Sequence, residues 1–158
     1  MDKNIKIEKL KIKDLRSLTE LFTYNDVEEM ILNCTQDIEK KKIDIFVLYH
    51  NDTLIGELRV KYEDDDENYA ALGRRAYLYA FRIREGFRNQ GYGSYLLKMV
   101  LDELAKNGYT EFTVGVEDDN IKAIHMYRKL GFTEFLLRKQ EEYQGDAYEY
   151  SLYLKKRE

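Results

Sequence analysis

The segment Arg84-Glu85-Gly86-Phe87-Arg88-Asn89-Gln90-Gly91-Tyr92-Gly93-Ser94 concentrates glycines and arginines between an apolar run and a long amphipathic one. That setting is a strand-to-helix loop. A helix start offers unpaired N–H groups and partial positive charge, so it suits a phosphate. Glycines let the backbone approach the anion, and Arg88 can add charge-assisted hydrogen bonds. Three kinds of phosphate loop compete. A nucleoside-triphosphate loop has the spacing of Gly86 and Gly91 but needs lysine where Tyr92 stands. A dinucleotide fingerprint needs a third glycine where Leu96 stands. Arg-x-x-Gly-x-Gly remains, met by Arg88, Gly91 and Gly93. Two close glycines alone are an ordinary cap; the flanking strand and helix give the pattern its weight.

Other reactive groups carry less. The acidic run Glu63-Asp64-Asp65-Asp66-Glu67 could attract a cationic amine but reads rather as a solvated loop, and it lacks the glycine and spaced ligands of a calcium loop. Cys34 is the single cysteine, and no Cys/His cluster forms a zinc pattern, so no metal is expected. Gly73-Arg74-Arg75 could contact an anion, a substrate's or a ribose phosphate, but reads rather as a surface strand entry. Tyr69, Tyr77, Tyr79 and Phe81 suit either an acceptor pocket or an ordinary core.

At 158 residues and 44% hydrophobic, the chain is expected to form one domain over 1–158 with a sizeable core. Charged residues make up 35% with a net charge of −4, which argues against nucleic acid as a partner. No apolar run is long enough for a membrane span, and the first residues show no signal core, so a cytoplasmic protein is expected.

The elements that must position the loop follow from periodicity. Ile5–Ile7 is a short strand. Asp14 is placed to cap a helix over Leu15, Leu18, Leu21 and Phe22. A second helix is expected from Asp26 to about Lys41. Strands Ile43–Tyr49 and Leu54–Tyr62 flank a turn at Asn51-Asp52, which makes a hairpin. Ala76–Ile83 is a strand and Gly91–Asn107 a helix that Gly108 stops. Glu111–Val116 is a strand, and Asn120–Leu130 is a helix that Gly131 stops. Strands follow over Phe132–Leu137 and Tyr148–Leu154. The order β-α-α-β-β-β-α-β-α-β-β means an α/β protein with a mixed sheet and helices on its faces.

The loop and its surroundings resemble the GNAT superfamily of N-acetyltransferases. Tyr77 to Leu104 is similar to that family's acetyl-CoA-binding motif. Asn120-Ile121-Lys122-Ala123-Ile124-His125-Met126-Tyr127, continuing to Lys129-Leu130-Gly131-Phe132, is similar to the motif that follows it. Together they cover roughly residues 76 to 135. Glu85 departs from the pattern, which often has proline there. The resemblance implies a sheet whose central strands splay, so that the pantetheine arm pairs with backbone near Phe81 and Ile83. It implies pyrophosphate on the N–H groups of Asn89, Gln90, Gly91, Gly93 and Ser94, beside Arg88. It also implies that Asn120 holds the pantetheine arm, that Tyr127 is the general acid for the thiolate, and that the N–H near Ile83 stabilises the oxyanion.

The resemblance supplies no base. Ala76–Phe81 holds no carboxylate, so Glu57 on the preceding strand is the first candidate, with Glu117 or a water chain as alternatives. Histidine is suited by type to act as a base, but His125 points to roughly the other side of the helix from Tyr127 and reads as a surface or half-buried residue. The expected function is transfer of an acetyl group from acetyl-CoA to a primary amine of a small molecule or peptide. The alternative is a non-catalytic acyl-CoA sensor on the same fold, and a homodimer through the late strands is compatible with either.

Overall fold

The computed structural model describes residues 4–157. Its elements are β1 Ile5–Lys9, a 3₁₀ helix Ile12–Glu20, α1 Val27–Glu39, β2 Ile43–His50, β3 Thr53–Lys61, β4 Arg75–Ile83, α2 Tyr92–Lys106, β5 Glu111–Glu117, α3 Ile121–Lys129, β6 Glu134–Tyr143 and β7 Asp146–Lys156. The order matches the expected one element for element. The chain divides into two compact units, Met1–Val60 with Ala80–Val100 and Lys61–Tyr79 with Leu101–Glu158. Each unit is assembled from two separate segments of the chain.

In the first unit the strands lie in the order β1-β2-β3-β4. β1 runs antiparallel to β2, from Ile5↔His50 to Lys9↔Phe46. Asn51 and Asp52 join β2 to β3 with left-handed backbone, φ 49 and 67. That is the two-residue turn whose twist matches a hairpin. Asp26 caps α1 by accepting the Glu29 N–H at 3.0 Å. Met30 and Cys34, one turn apart on α1, join Leu15, Leu18, Ile43, Ile45 and Val47 in the core.

The first helix corrects one expectation. It is a 3₁₀ helix that starts at Ile12, with Lys11 before it making no side-chain cap and Asp14 inside its first turn. The reason lies in the apolar spacing. Ile12, Leu15, Leu18 and Leu21 recur every third residue, and a 3₁₀ helix stacks such residues in one row.

In the second unit the order is β4-β5-β7-β6. β5 pairs antiparallel with β7 along its length, from Glu111↔Lys156 to Glu117↔Tyr150. β6 pairs antiparallel with β7 and carries an irregularity between Phe135 and Leu137. β4 is parallel to β5, which requires a crossover, and α2 supplies it. This parallel pairing spans only Arg75↔Glu111 to Leu78↔Val114, although β4 continues to Ile83 and β5 to Glu117.

Just beyond Leu78 the backbone of Ala80 turns left-handed, φ 49, inside a strand. The division between the units falls at the same place. A left-handed residue other than glycine costs roughly 1–2 kcal/mol, and a lone methyl keeps that cost low. Ala80→Val is expected to lower stability by about 1–2 kcal/mol in urea titration, since a β-branched side chain fits this region worst, whereas Ala80→Gly stays within about 0.5 kcal/mol of the parent.

Candidate functional site

The loop leaves β4 at Ile83 and enters α2 at Tyr92. Gly86, Asn89 and Gly91 have left-handed backbone, φ 93, 62 and 88. Left-handed residues alternating with ordinary ones turn N–H groups toward a common concavity, which binds anions. Gly91 also accepts the Tyr95 N–H at 3.1 Å, so it begins the helix. The N–H groups of Tyr92, Gly93 and Ser94 therefore belong to the unpaired first turn.

Several bonds hold this loop in shape. Arg84 donates from its backbone N–H to Ile55 at 2.6 Å and from Nε to the Leu54 carbonyl at 2.7 Å. Arg88 Nε donates to the Ile83 carbonyl at 2.8 Å, and Gln90 Nε2 to the Gly86 carbonyl at 2.9 Å. Gln90 thus spends its amide N–H on the loop itself. The Arg88 Nη groups make no hydrogen bond among the described residues. Phe87 and Tyr92 pack on His50 with ring centroids 5.5 and 6.0 Å away, which braces the middle of the loop and its helix end. Sequence reading did not single out this brace, because His50 lies far away in the chain.

Phe81 and Ile83 direct their side chains toward the start of α2: a methyl built on Gly93 would sit 3.5 Å from Phe81 Cζ and 3.6 Å from Ile83 Cγ1. Strand alternation turns Arg82 to the other face. There its Nη1 donates to Glu57 Oε1 at 2.8 Å and to the Tyr24 hydroxyl at 3.4 Å. Its guanidinium carbon lies 3.9 Å from the centre of the Phe22 ring. Arg59 Nε donates to the other Glu57 oxygen at 3.1 Å, its Nη2 donates to Tyr24 at 2.8 Å, and its Nη1 reaches Cys34 Sγ at 3.5 Å. Burial pushes the Cys34 thiol up, and the Arg59 charge only partly opposes this.

Glu57 therefore occupies a different setting from the one expected of a base. Its side chain has 0% exposure, and each carboxylate oxygen accepts from a guanidinium. No surface of it is open to an incoming amine. Glu117, the second candidate, is exposed at the end of β5.

In the second unit, Asn120 caps α3 by accepting the Ala123 N–H at 3.3 Å. Its Nδ2 group makes no hydrogen bond among the described residues. Two turns on, Tyr127 is buried at 7% exposure. After α3 the Phe132 N–H returns to the Tyr127 carbonyl at 2.9 Å and the Gly131 N–H to Arg128 at 3.0 Å. This paired closure needs left-handed backbone at Gly131, where φ is 100. It also brings the Phe132 ring edge-on to Tyr127, with centroids 5.7 Å apart. The Gly131-Phe132 pair thus serves to orient the tyrosine as well as to stop the helix.

The Tyr127 hydroxyl has no hydrogen-bond partner among the described residues. No inaccessible side-chain N or O atom among them lacks a partner, so this hydroxyl reaches an accessible surface while its ring is buried. Burial pushes its phenol well above the ordinary value. His125 is exposed, as expected. Tyr69 is core: its hydroxyl meets that of Tyr150 at 2.6 Å, and Tyr150 donates on to Glu141 at 3.1 Å. Tyr77 and Tyr79 are half-buried and stacked, centroids 5.4 Å apart.

The seven strands and four helices of the described residues, with a nest-and-helix loop after β4, have the fold of solved acetyltransferases. The ribosomal-protein-alanine N-acetyltransferase of Brucella melitensis superposes with a TM-score of 0.76 at 16% identity, over 96% of this chain and 99% of that one. A GNAT family acetyltransferase of Elizabethkingia anophelis, solved with acetyl-CoA bound, gives 0.68 at 18% identity, over 98% and 99%. Residues 11–132 match the acetyltransferase (GNAT) family, and the chain belongs to that family. Mycothiol acetyltransferase of Corynebacterium efficiens is 29% identical over 93 residues, which are 59% of this chain and 29% of that protein. The chain spans only 29%, 35% and 43% of the first three curated relatives it matches.

Removing the Glu57 carboxylate strands two guanidiniums in a largely buried position. Glu57→Ala is expected to cost about 3–5 kcal/mol in equilibrium unfolding. Gly131→Ala is expected to cost roughly 1 kcal/mol or more, from strain at its left-handed backbone.

Proposed function

We propose that this chain transfers the acetyl group of acetyl-CoA to a primary amine by direct attack within a ternary complex. The observation that carries the reading is the loop from Gly86 to Ser94. Its left-handed residues and the unpaired N–H groups of α2 form a concavity suited to a pyrophosphate. The open Nη groups of Arg88 stand beside it. Membership of the family supports the thioester as the ligand that continues from that pyrophosphate.

The residues fit acetyl-CoA as a substrate. Asn89, Gln90, Gly91, Gly93 and Ser94 contribute backbone N–H groups, and the side-chain amide of Asn120 is a donor for the pantetheine arm. Backbone groups of Phe81 and Ile83 pair with that arm, and the Ile83 N–H faces the developing oxyanion. The amine attacks the thioester carbonyl while neutral, and the departing thiolate requires a proton. We assign that proton to the Tyr127 hydroxyl. A phenol ionises near pH 10, and burial pushes Tyr127 higher, so the donor stays protonated at neutral pH. We assign Glu57 to holding Arg82 and Arg59; water, or Glu117 through water, takes the proton from the amine.

A thiol-release screen over polyamines, aminoglycosides, amino acids and peptide N-termini tests the reaction. Acetyl-CoA binding with no thiol release for any amine would favour a sensor. Tyr127→Phe is expected to lower kcat by about 10²-fold or more while the acetyl-CoA Kd changes less than about threefold; unchanged turnover would remove Tyr127 from the mechanism. Glu57→Gln is expected to leave the shape of the pH–rate profile unchanged, and loss of a titrating limb would restore Glu57 as the base.

A further inference from the structure

We propose that the acceptor is an amine that also carries a carboxylate, and that Arg82 holds that carboxylate. This rests on the acetyl-transfer reading above and names the substrate class for it.

The argument starts from the donors of Arg82. Its Nη1 is committed to Glu57 and to Tyr24. Its Nε and Nη2 make no hydrogen bond among the described residues. Every inaccessible side-chain N or O atom among those residues has a partner, so this edge of the guanidinium is accessible. The side chain is 23% exposed, which agrees.

The Nε–Nη2 edge carries two parallel N–H groups with the spacing of a carboxylate's two oxygens. It is also immobile. Glu57 and Tyr24 fix Nη1, and the Phe22 ring covers one face of the plane at 3.9 Å. Glu57 is in turn held by Arg59 through its other carboxylate oxygen. A long flexible side chain normally loses rotamer entropy on capturing an anion; here that entropy is already lost in the folded protein.

Position separates this site from the pyrophosphate site. Phe81 and Ile83 lie against the first turn of α2, and Arg82 points to the opposite face of β4, toward Phe22 and Tyr24. An anion at Arg82 is therefore not a phosphate held by the loop. Arg82 is nonetheless flanked in sequence by the two residues whose backbone is assigned to the pantetheine arm. An acceptor whose carboxylate docks on Arg82 has its amine within a small molecule's length of that backbone. The class that fits is an amino acid, or a short peptide with a free C-terminus.

The test compares free amino acids and di- and tripeptides with their C-terminal amides, in acetyl-CoA-dependent thiol release. The wild-type protein is expected to favour acids over matched amides by about tenfold or more in kcat/KM, mostly through KM. Arg82→Gln is expected to erase that preference with the acetyl-CoA Kd unchanged, and Arg82→Lys to restore part of it. Equal use of acids and amides by the wild-type protein would overturn the proposal, as would a preference that survives Arg82→Gln. The wild-type comparison needs no variant, so it stands even if Arg82→Gln unfolds. If no amine releases thiol, N-acetyl amino acids and their amides are titrated into the CoA-loaded protein by calorimetry. Acid-selective binding supports the site, and its absence overturns it. Failure to bind acetyl-CoA at all would instead sink the reading on which this one rests.

Discussion

A strand cannot both keep pairing with a neighbour and release its backbone to a ligand. The left-handed turn of Ala80 lies two residues past the last β4 residue that pairs with β5, and the β4 backbone proposed to meet the cofactor lies beyond it. Before it, Arg75–Leu78 forms a regular parallel ladder with β5. After it, Phe81, Arg82 and Ile83 belong to a different compact unit, and their side chains address two different tasks. Phe81 and Ile83 support the first turn of α2, and through it the loop. Arg82 reaches Glu57, Tyr24 and Phe22. Strand alternation beyond Ala80 sets which of these residues face the loop and which do not.

Glu57 is the complementary constraint. A carboxylate with no exposure is costly unless it is paired, and here two guanidiniums pair it. Such a cluster contributes little net stability, but it allows few arrangements, because any other rotamer leaves a charge alone in the interior. The energy is spent on orientation. Arg59 and Arg82 are held from Nε and Nη1 respectively, which is why the two side chains present different edges.

Much of this was legible in the chain. The loop could be read because glycine and arginine have few reasons to cluster at a strand-to-helix junction. The order of elements could be read because apolar periodicity changes cleanly between strand and helix. The first helix type was also written there, in the threefold spacing of Ile12, Leu15, Leu18 and Leu21. The Ala80 turn was not, since alanine carries no preference for left-handed backbone. Nor was the closure of Glu57 legible. Of its partners, Arg59 lies two residues along the same strand, but Arg82 lies on another strand and only the fold brings it to the carboxylate. The same holds for His50 against Phe87 and Tyr92.

Cys34 gives the chain an internal gauge of its own integrity. It is the single cysteine in the sequence, buried in the core of the first unit. Burial pushes its thiol up, so little of the reactive thiolate forms near neutral pH. A disulfide reagent added to the folded protein meets almost no endogenous thiol. A slow equivalent of sulfur titrated by such a reagent therefore reports chains whose first unit has opened.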